Sequence, residues 1–477
     1  MKKTENTTWE YSNVTRYILW GLFVLLSGLF LFTRFYKIDS SFLFFNDMGR
    51  DLFVLYEWLK LGKIPLLGPL TSSLPINQSP IYFYLLMPLF VISHQSVYTA
   101  LIMNAILYLT AFTASYFLAQ GNIKLQITVL IVMLLTIFHP QQIAQNRFVW
   151  NPSFLTPFLM VSIVYLLRFF SKNNSKDLIF SVILCCIALA IHYSAASIFI
   201  AYIFIILIYK KEYFLKCVLT SFITLTIVNI TVIRQLIKNI MATGYIMRPD
   251  QFSQPNSGLF LKLHDITTYL FNSTPSVIFN SVILGVLVAA LYVTLTSKEK
   301  MQKVSASLFL ITFVTTLIMP FNIQAHYIFA MMITLFFFVS MLNLRIAVTL
   351  VIILLYLFIK PDQLKHNFAP APRTYNQMEA CFKSFCSTFK QPTFVSVESG
   401  MHPYHFGPEH RYLMLKNGCD VRSIEEDTHQ AQYMSVVVDN GSFSDKTSYY
   451  ELDLFGTHSV DKKISCGKNF EIVVLKK

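Results

Sequence analysis

A chain of 477 residues that is 55% hydrophobic, 15% aromatic and only 13% charged, with a mean hydropathy of +0.54, lies outside the range of soluble globular proteins. Its net charge of +13 belongs to residues 1–360, which hold 25 Lys and Arg against 11 Asp and Glu, while residues 361–477 hold 13 against 14. No basic groove with aromatic platforms is found, so nucleic acid is excluded as a partner; a polytopic membrane protein remains, because lipid leaves backbone groups no partner outside their own helix.

In chain order, Lys2 and Lys3 precede a polar tail and then an apolar stretch, 17–33, without a small-x-small exit, so it reads as an anchor that stays. Ten further spans are expected at 97–119, 125–139, 153–170, 179–192, 196–209, 217–233, 277–296, 304–319, 326–342 and 346–359. With the N-terminus inside, alternate loops collect Lys124, then Arg168, Lys172 and Lys176, then Lys210, Lys211 and Lys216, then Lys298, Lys300 and Lys303, then Arg345. The opposite short loops carry almost nothing basic but Arg147. This asymmetry orients the helices and puts two long loops, 34–96 and 234–276, on the outer side.

The first long loop holds Asn46-Asp47-Met48-Gly49-Arg50-Asp51 and Glu57, three of the 11 acids of residues 1–360. Acids beside a bilayer carry a solvation cost, so this cluster is a candidate site; a solvated helix start is the plainer alternative. If 47–61 is helical, Asp47 and Asp51 share a face, and Gly49 lets chain or ligand approach closely. A carboxylate held ionised there can accept a proton from a hydroxyl or coordinate a divalent cation. Further on come the turn-rich Leu67 to Ser73 and an apolar stretch opened by Pro80-Ile81-Tyr82-Phe83-Tyr84, read as a juxtamembrane or re-entrant helix. The second long loop contains Arg248, Lys262, His264 and Asp265.

Four outer helix ends supply polar residues: His139, Gln145 and Arg147 with Trp150-Asn151-Pro152; His192-Tyr193; and Gln324 with His326-Tyr327. Singly, such rings are more often interfacial anchors, and Arg147 can simply snorkel. Together they can line a polar cavity under the long loops. Such a cavity suits a polyprenyl-phosphate sugar, with Arg147, Arg50 or Arg248 holding the phosphate.

From Pro361 the composition is that of a small soluble α/β domain, with helices expected over 374–389 and 404–416 and strands at Thr393 to Glu398, Met434 to Asp439, Tyr449 to Leu454 and Phe470 to Leu475. His402, His405 and His410 are assigned to a helix surface rather than to a metal site. Cys381, Cys386, Cys419 and Cys466 allow one or two disulfides, whereas Cys185, Cys186 and Cys217 read as small packing residues.

At Asp47-x-Gly-Arg-Asp51, at Leu66-x-Gly-Pro-x-Thr-Ser72, at Pro80-x-Tyr-x-Tyr-Leu-Leu86 and at Arg147-Phe-x-Trp-Asn-Pro152 the sequence resembles the bacterial relatives of dolichyl-phosphate-mannose protein mannosyltransferases and lipid A aminoarabinose transferases. These are GT-C class glycosyltransferases. The His-Tyr pairs at 192 and 326 are similar to that branch too, and the likeness is most specific over 47–86 and weak in the tail.

The apolar runs, the charge asymmetry and the tail composition, joined by the resemblance over 17–360, give an all-α membrane bundle of about 11 transmembrane helices plus juxtamembrane helices (1–360), followed by an extracytoplasmic α/β domain (361–477). The resemblance implies inverting transfer of a sugar from a polyprenyl phosphate to a hydroxyl acceptor on a glycan, lipid or protein, with Asp47 as base and no metal or other cofactor. Asp51 joins Asp47 as a catalytic candidate, although family members carry the second acid where Met48 stands here. Arg50, Tyr82, Tyr84, Arg147, Trp150, Asn151, His192, Tyr193, Arg248, His264, His326 and Tyr327 become substrate-binding candidates. A bacterial inner membrane is the expected location, with the N-terminus cytoplasmic and the tail periplasmic. A transporter or flippase of lipid-linked sugars is the alternative, disfavoured because no internal repeat is found and the polar residues collect at one boundary.

Overall fold

The structure is a computed structural model that describes residues 13–71, 76–243, 258–271, 277–320, 322–399, 407–424, 431–439, 441–444, 450–467 and 469–477. It divides into two compact units, one formed by the described residues of Met1–Tyr36, Leu66–Tyr82 and Ile102–Asn367, the other by Lys37–Pro65, Phe83–Leu101 and Phe368–Lys477.

The first unit is helical, with an apolar helix at each of the eleven expected positions. Among the described residues five are long and apolar enough to cross a membrane: Asn13–Phe35, Thr99–Leu118, Asn151–Lys172, Phe279–Thr296 and Lys300–Ile318. Two bent pairs raise the number to seven if each is one span. Shorter ones such as Leu344–Phe358 have 15 residues, or roughly 22 Å at 1.5 Å per residue, less than a ~30 Å hydrocarbon core. Leu284, Val288, Leu291 and Leu295 of the Phe279–Thr296 span are exposed, an apolar surface that calls for lipid. The chain is a multi-pass membrane protein.

Where lipid replaces water, helices associate through close packing and interhelical hydrogen bonds rather than the hydrophobic effect. Ser162 and Ser181 illustrate this, each hydroxyl donating to the other's carbonyl, at 2.7 and 2.8 Å, between the Leu155–Lys172 and Ser175–Ile191 helices. Asn122, Asn174 and Asn343 cap the starts of three helices, accepting from the backbone N–H of Leu125, Lys176 and Arg345. One bend has a clear sequence cause. Pro140 cannot donate to the preceding turn and pushes His139 into extended backbone (φ −67°, ψ 124°), so the Pro140–Arg147 helix leaves Ile123–Phe138 at 69°.

The second unit contains a four-stranded sheet, β1 (Thr393–Ser399), β2 (Tyr433–Asp439), β3 (Ser459–Ser465) and β4 (Phe470–Lys476), in the order β1-β2-β4-β3. β1 and β2 are parallel and the other pairs antiparallel. Phe394, Met434, Val436, Val438, Val473 and Leu475 form its core. Disulfides Cys381–Cys466 and Cys386–Cys419 tie down the Tyr375–Thr388 helix.

Two expectations for the tail are corrected. The stretch read as a strand at Tyr449 to Leu454 is a helix, Tyr450–Phe455, whose first turn carries Glu451 and Asp453, favourable at a helix N-terminus. The missing strand is β3, an exposed edge whose Asp461, Lys462 and Lys463 hid it from an apolar pattern search and guard the edge against pairing. His410 is not at a helix surface but completely buried; His402 and His405 lie outside the described residues.

Candidate active site

Within the second unit the acid cluster opens the Asp47–Leu61 helix, the helix expected from the sequence. One guanidinium holds both carboxylates: Arg50 Nη1 donates to Asp47 Oδ1 at 2.5 Å, and Nε and Nη2 donate to Asp51 Oδ1 at 2.9 and 2.7 Å. The two acids differ in access. The Asp47 side chain keeps 25% of its surface exposed and the Asp51 side chain 2%. Asp47 can therefore meet a ligand, while Asp51 holds Arg50 in place.

Gly49 sits between them for a steric reason. A Cβ there would overlap the backbone N and Cα of Glu409, on the Pro408–Lys416 helix that crosses at this point. The close approach serves chain packing. Beneath it lies Arg373, 3% exposed, whose Nη2 donates to Glu409 Oε1 at 3.1 Å, Nε to Asp439 Oδ2 at 2.5 Å and Nη1 to the Phe44 carbonyl at 3.1 Å. Arg373 thus reaches the turn that starts the acid helix. Tyr412, whose hydroxyl burial pushes above its ordinary pKa, donates to the Gln95 carbonyl at 2.5 Å. Tyr84 donates to Pro65 O at 2.8 Å and meets Trp58 edge-on.

The first unit gathers a different set. His192 stands in extended backbone between Ser175–Ile191 and the Tyr193–Ala195 turn, which splits the apolar run in two. The Ser194 N–H donates to His192 Nδ1 at 3.1 Å, so that nitrogen is an acceptor and the ring is neutral with its proton on Nε2. His192 meets His326 edge-on, with centroids 5.0 Å apart, and His326 in turn contacts Trp150 at 4.9 Å and Tyr327 at 4.3 Å. Trp150 Nε1 donates to Gln145 Oε1 at 2.6 Å. Three turns, separated by 42 and 134 residues, so form one ring patch.

Two stretches, 66–71 and 76–79, form a strap pinned beside these turns. The Tyr193 hydroxyl donates to the Asn77 carbonyl at 2.8 Å, Asn151 Nδ2 donates to Gln78 Oε1 and to Ile191 O, and Ser79 N–H donates to Ala190 O at 3.2 Å. The strap doubles back with the Gly68 N–H donating to Gln78 O at 2.8 Å, and a Cβ at Gly68 would overlap the Ser79 carbonyl. That explains the glycine of the Leu-x-Gly-Pro segment.

Arg147 ends the Pro140–Arg147 helix, 6% exposed, with Nη1 donating to the Arg34 and Tyr36 carbonyls at 2.9 and 3.0 Å. Arg34 is in the last turn of the Asn13–Phe35 helix and Tyr36 directly follows it, a helix end where a cation is favoured. Tyr82 is fully buried edge-on to Phe154. His264 stands on the Leu259–Phe271 helix with its side chain 55% exposed, facing Asp265 at 3.6 Å and not joining the rings. Arg248 lies outside the described residues. Among the described residues no group of three or more His, Cys, Asp or Glu is arranged to hold a metal.

Sequence reasoning passed over Arg373, Glu409 and Gln78. Arg373 is one basic residue after a Pro-rich turn, and its acidic partners lie 36 and 66 positions away. Gln78 had a faint signal as a polar residue just before Pro80 in an apolar region.

The fold that carries these features is shared with ArnT, a lipid A aminoarabinose transferase of the group the sequence resembles. ArnT from Cupriavidus metallidurans, solved bound to undecaprenyl phosphate, superposes with a TM-score of 0.60 over 95% of this chain and 98% of its own, at 10% identity. The apo state of the same protein gives 0.59 over 97% and 98%, at 11% identity. Arabinofuranosyltransferase AftD from Mycobacteria gives 0.49 at 9% identity, covering 97% of this chain and 40% of its own. No protein-family model and no curated protein matches the chain.

Proposed function

We propose that the chain is an inverting glycosyltransferase that moves a sugar from a polyprenyl-phosphate donor to a hydroxyl acceptor at the outer face of a bacterial inner membrane. The observation that carries this reading is the partly exposed Asp47 carboxylate, aligned by Arg50 and Asp51 at the start of a buried-face helix, in a chain with the ArnT fold. The bound undecaprenyl phosphate of the ArnT structure supports the donor class.

In this reading the acceptor oxygen forms a bond to the anomeric carbon from the side opposite the phosphate, and the bond between that carbon and the phosphate oxygen breaks. The acceptor proton passes to Asp47, and the phosphate leaves with the electron pair. Arg147 and Arg248 are assigned to the departing phosphate, where guanidinium contacts are short and strong. The neutral ring patch of Trp150, His192, His326 and Tyr327, with the His192 Nε2–H as a donor, is assigned to the sugar, together with Tyr84 and His264 at more exposed positions. Asn151, Tyr193 and Tyr82 hold the turns that present it. Asp51 positions Arg50 and does not touch the reacting atoms. No metal is invoked.

The test is reconstitution of the full chain in vesicles with a labelled polyprenyl-phosphate sugar and a lipid or glycan acceptor. The expected result is a glycosylated product of inverted anomeric configuration. Translocation of the labelled lipid with no product would replace this reading with transport.

A further inference from the structure

A pocket of about 260 Å³ lies in the first unit at the start of the Asn13–Phe35 helix, between it, the end of Thr99–Leu118 and the start of Ile123–Phe138. Arg16, Trp20, Tyr116, Gln120 and Gln126 line it. Arg16 and Arg34 are 18 residues apart on one helix, or about 27 Å, close to the thickness of the hydrocarbon core. The pocket is thus at the opposite membrane boundary from Arg34 and Arg147, remote from every residue assigned above in this unit.

Its chemistry is built for an anion. Tyr116 is 1% exposed, and its hydroxyl has no hydrogen-bond partner among the described residues, an arrangement that carries a free-energy cost unless something supplies an acceptor. The ring cannot turn away, being stacked on Phe23 at 4.8 Å and held edge-on by Trp20 at 5.2 Å. Trp20 is fixed in turn against Phe117 at 5.5 Å. The Arg16 charge is close enough to act on the Tyr116 hydroxyl, the Gln120 and Gln126 amides add donors, and among the described residues no carboxylate lines the pocket. Leu19 and the Trp20 indole make one wall apolar at the depth where acyl chains begin.

We propose that this pocket binds the phosphate headgroup of an anionic membrane lipid, with the Arg16 guanidinium and Tyr116 hydroxyl on the phosphate oxygens and the glycerol and first acyl methylenes against Trp20. A cation at a membrane boundary with no carboxylate beside it among the described residues favours a headgroup with net negative charge over a zwitterionic one.

The experiment is native mass spectrometry of the full chain in detergent, offered phosphatidylglycerol or phosphatidylcholine. Wild type is expected to retain one phosphatidylglycerol and no phosphatidylcholine. Arg16→Gln should lower retention roughly fivefold or more and Tyr116→Phe about threefold, as loss of a charged and a neutral contact implies. Tyr116→Phe removes only an orphaned hydroxyl, so it should unfold at the same temperature as wild type without lipid, which separates binding from folding. Lys172→Gln, an exposed charge outside the pocket, should leave retention unchanged. Equal retention of both lipids, wild-type retention in both pocket variants, an equal loss in Lys172→Gln, or displacement by millimolar inorganic phosphate would overturn the assignment.

Discussion

The start of the Asp47–Leu61 helix and the ring patch of Trp150, His192, His326 and Tyr327 handle buried polarity in opposite ways. At the helix start the groups are charged and compensate one another: Arg50 between Asp47 and Asp51, and Arg373 between Glu409 and Asp439 below. In the patch the groups are neutral and compensate through single hydrogen bonds to backbone and amide, as in Ser194 N–H to His192 and Trp150 to Gln145. Charged networks are stiff and punish the loss of one member, whereas neutral ring contacts tolerate substitution and adapt to a ligand. The difference matches the proposed division between proton transfer and sugar recognition.

Arg373→Met should break the comparison hardest. It leaves Glu409 and Asp439 buried without their cation, a loss of about 3–5 kcal/mol, to be measured as a fall in unfolding midpoint. Gly49→Ala comes next, because the added methyl meets the backbone of Glu409, which has no flexible end to give way. Thermal unfolding should show about 1–3 kcal/mol lost, with transfer activity falling alongside as Asp47 and Arg50 shift. On the neutral side, His326→Phe keeps the ring contacts and removes the ring nitrogens. Steady-state kinetics should show KM for the donor raised roughly tenfold and kcat little changed, the mark of lost binding rather than lost catalysis. Tyr193→Phe should have the smallest effect, about 0.5–1.5 kcal/mol of stability for its bond to the Asn77 carbonyl. If the patch variants collapsed the protein while Arg373→Met did not, the contrast between the regions would be reversed.

Much of this was legible from residues. The eleven apolar helices, the Asp47–Leu61 helix, the break at His192 and β1, β2 and β4 follow from periodicity and from residues whose backbone preferences are strong. The acids stood out because their neighbours are apolar. What stayed hidden depends on long-range pairing. Nothing local in Gly49 says that Glu409 will press on it, and nothing near Arg373 says that it will lie under the turn at Phe44. β3 was missed because an edge strand can be as polar as a loop, and His410 because its burial comes from packing against Phe382 and Phe470 rather than from its own helix.

Proton transfer rests on one carboxylate, that of Asp47. Asp47→Asn keeps the shape of the side chain and a hydrogen-bond acceptor for Arg50 but removes the base. Assayed with a labelled polyprenyl-phosphate sugar, the variant is expected to lose about 10²–10⁴ in kcat while its unfolding midpoint and its binding of the donor lipid stay close to wild type. Wild-type turnover by Asp47→Asn would contradict the account.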